Sequence, residues 1–134
     1  MISAVDTSVV LDVLTASPEY CNSSMQALTE ASSQGAVIVC PVVVAELRVA
    51  FTSDDALLRT LHEMGLMRVA LDTAEAVIAG RMHQLYYQRG GKRSRVVADF
   101  LIGAHAQVHA QQLIARDRGF FRDYFTELEV WYPT

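Results

Sequence analysis

The sequence predicts an α/β fold, in which residues 1–134 form a single domain with a central, mostly parallel β-sheet flanked by α-helices. Short apolar runs alternate with amphipathic segments along the chain, as is typical of βα units. The length of 134 residues is typical of one domain. Hydrophobic residues make up 51% of the chain and charged residues 19%, which is enough apolar material for one core.

Five short apolar runs predict the strands. Runs of four or five apolar residues fit strands that are buried in a parallel sheet. The runs are, in chain order, ISAV (2–5), AVIVC (36–40), LMRVA (66–70), QLIA (112–115) and LEVWY (128–132). We expect the last of them at an edge of the sheet.

The segments between these runs predict helices. Residues 19–33 carry apolar side chains at helical spacing and are followed by Gly35. Pro41 suits the first position of a second helix. Ser53 is expected to cap a helix through residue 63, because its hydroxyl can accept a bond from a free amide of the first turn.

Two further helices follow on the same reasoning. Asp72 and Glu75 have the spacing of a capping box for a helix that runs to about residue 89. Gly90 and Gly91 then interrupt the chain. A final long helix is expected over residues 96–110.

Composition argues against several classes of protein. The apolar runs at 36–40 and 41–45 end at Glu46, well short of a membrane span. Asp6 lies where a signal peptide needs its apolar core, so a cytoplasmic location is expected. Cys21 and Cys40 are too few for a disulfide scaffold or a thiolate zinc site, and both are expected to be reduced.

Four acidic residues are placed where open parallel sheets form their sites. Asp6 directly follows the first predicted strand and Asp117 follows the fourth. Glu46 lies early in the helix after the second strand, and Asp99 lies near the start of the last long helix, inside the apolar run RVVADFLIGAHA. If the sheet is parallel, these carboxylates converge at its carboxyl edge.

Such a cluster requires a proton or a cation. Carboxylates roughly 4 Å apart repel by about 4 kcal/mol per pair at an effective dielectric near 20. Oxygen ligands without cysteine or histidine favour Mg²⁺ or Mn²⁺ over zinc. Because such ions polarise phosphodiesters and activate water, the expected substrate carries phosphate.

The distribution of basic residues points to local contacts with a polyanion. The net charge of −4 argues against binding of nucleic acid through overall positive charge. Two local groups, in RGGKRSR (89–95) and over 116–122, are suited to a phosphate backbone, although solvated loops would also explain them. The RNA contacts predicted from these groups are Lys92, Arg93, Arg95, Arg116 and Arg118.

Three other polar residues have simpler interpretations. His105 and His109 have the i, i+4 spacing of metal ligands, but the intervening acid of a zinc protease motif is missing, so they are expected to be ordinary core or surface residues. Asp12 is expected to face solvent rather than the acidic cluster.

The four acidic blocks resemble those of PIN-domain ribonucleases, specifically the VapC-type toxins of bacterial toxin–antitoxin systems. AVDTSVVLDVL, CPVVVAELRVAF, VVADFLIGAHA and LIARDRGFFRDYF occur in the family's order, and the likeness extends to about Tyr124. The resemblance implies an endoribonuclease dependent on Mg²⁺ or Mn²⁺. The matching positions for catalysis and metal binding are Asp6, Glu46, Asp99 and Asp117.

Smaller features of the blocks bear on this site. Ser8 matches a polar position after the first acid, where it either orients Asp6 or caps the first helix. Ala115 stands where the family has Thr or Ser two residues before its fourth acid. That departure leaves the orientation of Asp117 open, and Asp123 is a substitute for it.

The resemblance also implies partners. They are an RNA substrate, a second copy of the chain, and a VapB-type antitoxin whose C-terminal segment places a basic side chain in the acidic pocket. One arginine can match the charge of the metal, so metal and antitoxin should compete. The helices over 19–63 could supply a groove for that partner.

Two alternatives remain at this point. One is a non-catalytic PIN-like module that binds protein or RNA. The other is a phosphoacceptor domain of the receiver type, which would need a lysine near the fourth strand, whereas Lys92 is the only lysine in the chain.

Overall fold

Helices connect the strands of one parallel sheet in the computed structural model, which describes residues 1–92, 97–117 and 119–134. The elements are, in chain order, β1 (Ser3–Val5), α1 (Thr7–Leu14), α2 (Cys21–Gln34), β2 (Val37–Val39), α3 (Pro41–Leu47), α4 (Asp54–Glu63), β3 (Leu66–Arg68), α5 (Thr73–Gln88), α6 (Val97–His109), β4 (Gln112–Ile114), α7 (Phe120–Tyr124) and β5 (Glu129–Trp131). A short 3₁₀ turn, Arg48–Ala50, follows α3. The predicted α/β class is confirmed.

The sheet has the order β3-β2-β1-β4-β5, and every neighbouring pair is parallel. Ala4 of β1 pairs with Ile38 on one side and Leu113 on the other. All residues of β1, β2 and β4 are buried, because these three central strands lie beneath the flanking helices. The carboxyl ends of β1 and β4 therefore lie side by side at the middle of one edge.

The five predicted strands are all present, each shorter than its apolar run. The fifth, β5, lies at an edge as expected. The third, β3, forms the other edge, and its Met67 is 56% exposed.

Most of the predicted helix signals are also found. Residues 19–33 correspond to α2, and Pro41 is the first residue of α3. Ser53 caps α4, with its Oγ accepting a bond from the Ala56 amide at 3.1 Å. The helix expected over 96–110 is α6, and residue 96 lies outside the described residues. The five-residue α7 was not predicted, since so short a helix has no periodicity to read.

The predicted capping box at the start of α5 is only half formed. Asp72 occupies the N-cap position, but within the described residues its side chain accepts no cap hydrogen bond. Glu75 is buried and bonds to His109 of α6, and a backbone hydrogen bond from Asp72 also lowers its pKa. The Glu75 carboxylate thus has both a local and a tertiary partner, as a buried carboxylate requires.

Two further observations concern membrane-spanning helices and the two cysteines. Among the described residues, no helix combines the length and the apolar character that crossing a membrane requires. Both cysteines of the chain lie in the described part and neither forms a disulfide. Burial raises the pKa of the Cys40 thiol, which favours the unreactive protonated form.

Candidate active site

Asp6 lies at the carboxyl end of β1 and is the N-cap residue of α1. Its amide donates to the Ile114 carbonyl of β4 at 2.9 Å, which fixes it at the edge of the sheet. Its Oδ2 accepts bonds from the Ser8 hydroxyl at 2.6 Å and the Ser8 amide at 3.4 Å. Of the two roles considered for Ser8, the structure places its hydroxyl on Asp6, while Asp6 itself caps the helix.

The environment of Asp6 opposes its charge. The side chain is only 8% exposed, and this burial is the main reason that its pKa is raised from 3.8 to about 6. The bonds from Ser8 lower that pKa, and the charge of Asp99 raises it further. Asp99 is therefore close enough to Asp6 for the two carboxylates to repel each other.

Asp99 reaches this point from a distant part of the chain. It lies in the first turn of α6, where the helix dipole favours a carboxylate. Since α6 precedes a parallel strand, its N-terminus lies at the carboxyl edge of the sheet. Phe100 and Ile102 beside it are buried in the core, while Asp99 is only partly buried. The apolar run thus belongs to the packed face of the helix, and its one acid lies at the rim of the site.

Glu46 joins the site through Thr7. The Thr7 hydroxyl donates to Glu46 Oε1 at 2.6 Å, and Thr7 is the residue after Asp6. This bond holds an exposed side chain of α3 next to the first turn of α1. Thr7 is a supporting residue that was not predicted, and its position directly after the first acid is the signal in the sequence that points to it.

Asp117 is placed differently from the other three acids. It follows β4, but its two carboxylate oxygens accept bonds from the amides of Gly119, at 3.2 Å, and Phe121, at 2.5 Å. These bonds satisfy free amides at the start of α7, where Gly119 adopts a φ of +94°. Its orientation therefore comes from the backbone of the following turn. Asp123, the proposed substitute, is exposed on α7.

The expectation that Asp12 faces solvent is wrong. Asp12 is 4% exposed, and both of its carboxylate oxygens accept bonds from the guanidinium of Arg116. The buried carboxylate is tolerated because this cation compensates it. Arg116, predicted as an RNA contact, has its guanidinium engaged by this pair.

Of the four remaining basic residues predicted to contact RNA, one lies among the described residues. Lys92 is exposed, just after the turn at Gly90 and Gly91. Arg93, Arg95 and Arg118 lie outside the described residues.

The two histidines of α6 do not share a ligand site. His105 Nε2 bonds to the Val69 carbonyl at 2.8 Å, and burial lowers the pKa of His105. His109 Nε2 bonds to Glu75. Burial raises the pKa of Glu75, but the bond from His109 and nearby backbone bonds outweigh it, so the pKa lies below its ordinary value. Both rings thus have the ordinary structural partners that were expected.

The donor set at the sheet edge fits a hydrated divalent cation. Among the described residues no three or more His, Cys, Asp or Glu side chains form a ready-made metal cage. Mg²⁺ does not require one, because it usually binds through one or two carboxylates and retains several waters. Asp6 and Asp99 repel each other in a buried setting, and a cation between them would relieve both the repulsion and the raised pKa of Asp6.

A comparison with known families identifies the domain. A family model described as the PIN domain matches residues 4–125. The chain belongs to the PIN domain family. The match includes all four predicted acids, at the end of β1, on α3, on α6 and after β4. No curated protein matches this PIN domain in sequence.

Solved structures show the same fold at low sequence identity. VapBC2 from Rickettsia felis, bound to a DNA fragment from its promoter, has a TM-score of 0.77 at 17% identity, with 100% of each chain covered. VapBC-1 from nontypeable Haemophilus influenzae has a TM-score of 0.73 at 19% identity over 98% of each chain. A toxin–antitoxin complex from Klebsiella pneumoniae has a TM-score of 0.71 at 18% identity, also over 98% of each chain. This PIN domain therefore shares its complete fold with them.

Proposed function

We propose that this PIN domain is a VapC-type toxin, a Mg²⁺- or Mn²⁺-dependent endoribonuclease that hydrolyses RNA phosphodiester bonds. The observation that supports the proposal is that burial and the charge of Asp99 of α6 both raise the pKa of Asp6 at the end of β1. Glu46 of α3 is held beside this pair by Thr7, the residue that follows Asp6. Gathered carboxylates in a low-dielectric setting are an arrangement that a metal-binding catalytic site explains.

Each residue has a role in the proposed mechanism. When bound, the divalent ion would polarise the phosphodiester and lower the pKa of a water ligand. Asp6 and Asp99 would hold that ion. Ser8 would keep Asp6 oriented toward the ion through its two bonds to Oδ2. Glu46, exposed and held by Thr7, would accept a proton from the attacking water.

The outer part of the site would bind the RNA and the inhibitor. Lys92, together with Arg93, Arg95 and Arg118, is proposed to contact the phosphate backbone. A VapB-type antitoxin is supported by the fold, since the similar structures are toxin–antitoxin complexes. A basic side chain of that antitoxin, placed between Asp6 and Asp99, would take the position of the metal.

A second function is favoured by two observations. Asp117 is engaged by two amides of its own turn, and the described residues hold no ready-made cage of three ligands. Both features would suit a PIN-like module that binds protein or RNA without cleaving it.

RNA cleavage separates the two functions. The purified protein and its Asp99→Asn variant are incubated with a pool of structured cellular RNAs in Mg²⁺, in Mn²⁺ and in chelator. We expect cleavage by the wild type only with metal, and a loss of about 100-fold or more in the variant, because a ligand charge is removed while the side-chain shape is kept. Folding of both proteins is verified by circular dichroism.

The other outcomes identify the alternatives. Intact RNA with both folded proteins, together with a measurable affinity for the RNA, would support the binding module. Equal cleavage by both proteins would show that Asp99 is not in the active site.

A further inference from the structure

A second charged cluster lies beside the acidic site and joins three parts of the chain. Arg116 lies in the turn between β4 and α7. Its Nε donates to Asp12 Oδ2 at 2.7 Å, and its Nη2 donates to Asp12 Oδ1 at 2.5 Å. This paired geometry uses the planar guanidinium to fix an orientation, as an ammonium group could not.

The cluster extends to α2. The Ser24 hydroxyl donates to Asp12 Oδ2 at 2.7 Å, and Ser24 is fully buried. The guanidinium carbon of Arg116 lies 3.8 Å from the centre of the Tyr20 ring, a cation–π contact. A single carboxylate on α1 therefore connects the turn after β4 to the beginning of α2.

The same turn touches the acidic site through its backbone. The Arg116 amide donates to Ser8 Oγ at 3.3 Å, and that hydroxyl donates to Asp6 at 2.6 Å. The next residue is Asp117, whose carboxylate accepts bonds from the amides of Gly119 and Phe121. A displacement of the turn would thus be passed to Asp6 through Ser8 and directly to Asp117.

We propose that the Asp12–Arg116 ion pair is a positioning device for the active site, and the inference rests on the proposed metal-dependent nuclease. The pair holds the start of the turn, at Ala115, Arg116 and Asp117, against α1 and α2, so that Ser8 keeps Asp6 in the orientation that binds the ion. It thereby stabilises the turn in a chain that has Ala115, with no hydroxyl, two residues before Asp117.

This role differs from the RNA contact that the sequence suggests for Arg116. A guanidinium that donates two bonds to a buried carboxylate and stacks on a tyrosine has little capacity left for a phosphate group. The side chain of Arg116 is only 26% exposed, and that of Asp12 is 5% exposed. Asp12 is too buried to touch RNA. Weaker metal binding in an Asp12 variant is therefore expected if Arg116 positions the site, and is not expected if Arg116 only contacts RNA.

The test compares Asp12→Asn, Arg116→Lys and a control, Asp54→Asn. The control removes one acid of a different Arg–Asp pair, Arg48–Asp54, whose side chains are 42% and 87% exposed. Mn²⁺ affinity is measured on each metal-free protein by electron paramagnetic resonance, in the absence of RNA. Steady-state cleavage of a labelled RNA then gives kcat and KM separately.

We expect both variants of the buried pair to bind Mn²⁺ about tenfold more weakly, since residues that orient metal ligands typically have effects of this size. In both, kcat should fall about tenfold or more, with KM within about twofold of the wild type. The control should match the wild type in both measurements.

Three results would overturn the proposal. One is wild-type Mn²⁺ affinity in a folded Asp12→Asn protein. Another is a rise in KM alone, confined to Arg116→Lys, which would make Arg116 an RNA contact. The third is an equal loss in the Asp54→Asn control.

The two proposals can fail separately. If the wild type cleaves no RNA but Asp12→Asn still weakens Mn²⁺ binding, the nuclease is wrong and the positioning role stands. If Asp12→Asn does not fold, Ser24→Ala removes one bond to Asp12 and keeps the ion pair. It should weaken Mn²⁺ binding by a smaller factor, and unchanged affinity in that variant would count against the proposal.

Discussion

At the scale of single residues, Asp6 shows a conflict between stability and function. Its carboxylate is buried at the end of a central strand, and its pKa is raised to about 6 mainly by that burial. A shift from 3.8 to about 6 corresponds to about 3 kcal/mol of differential free energy. The folded protein therefore carries an unfavourable charge at neutral pH, which is typical of a functional group.

The sign of the pH dependence follows from linkage. Because the pKa is higher in the folded state, folding takes up a proton between about pH 4 and pH 6. The cost of the charge is absent below pH 4 and fully present above pH 6. Metal-free protein should thus lose stability from this group as the pH rises through that window.

We expect Asp6→Asn to raise the free energy of unfolding of the metal-free protein at pH 7.5 by about 1–3 kcal/mol, because it removes the buried charge and keeps the shape. Below pH 4 the difference should vanish. Urea unfolding at both pH values measures it. Asp55→Asn, an exposed acid in the first turn of α4, is the control and should be neutral or slightly destabilising. A loss of stability in Asp6→Asn at pH 7.5 would contradict the argument.

At the scale of elements, the close packing of α6 against the segment after α7 decides where Asp99 lies. Gly103 of α6 faces the ring of Phe125, the residue that follows α7. A Cβ at Gly103 would lie 2.2 Å from Cε2 of that ring, and Phe125 is 1% exposed. The absence of a side chain at this position therefore sets the distance between the helix that carries Asp99 and the segment that follows Asp117.

Two glycine substitutions should change the free energy of unfolding in opposite directions. We expect Gly103→Ala to lower the free energy of unfolding by about 1–3 kcal/mol, because the packed ring cannot withdraw. Gly80→Ala in α5 meets nothing within 4 Å. That variant should raise stability by about 0.5–1 kcal/mol through helix propensity.

Chemical unfolding of the two variants beside the wild type measures both effects. If Gly103→Ala were as stable as Gly80→Ala, the close approach of α6 to Phe125 would not be a constraint on the fold.

At the scale of the whole molecule, the all-parallel sheet brings distant acids to one edge. The β1 and β4 strands are neighbours although more than a hundred residues separate them, and the Asp6 amide bonds directly to Ile114. The site is thus assembled only when the whole sheet is formed. A metal that binds this site stabilises the folded chain and leaves the unfolded chain almost unaffected.

We expect Mn²⁺ at about 100 times its dissociation constant to stabilise the fold by about 2.7 kcal/mol. For a domain of this size that is a rise in Tm of about 5–10 °C. The rise should shrink at pH 5, because the ion must displace a proton from Asp6, whose pKa is about 6. Thermal unfolding with and without Mn²⁺ at pH 7.5 and pH 5 measures this. An equal rise in Asp6→Asn would place the ion elsewhere.

The sequence by itself determined the fold class, the five strands and the order of the acids along the chain. Strands are encoded by local apolar runs, and an acid that directly follows such a run is carried to the edge of a parallel sheet. The resemblance of the four acidic blocks to those of PIN domains could also be recognised in the sequence, and the family match confirms it. The contact between Ser8 and Asp6 was one of two roles that the sequence left open for Ser8, and the structure shows that contact.

Only the tertiary structure decided which side chains face one another. Asp12 binds Arg116 across 104 residues, and Glu75 binds His109 across 34. The Asp117 carboxylate is oriented by backbone amides of a turn, and a turn leaves no periodic pattern in the sequence. These contacts depend on how helices pack over the sheet and on the need of each buried charge for a partner, and local periodicity carries no information on either.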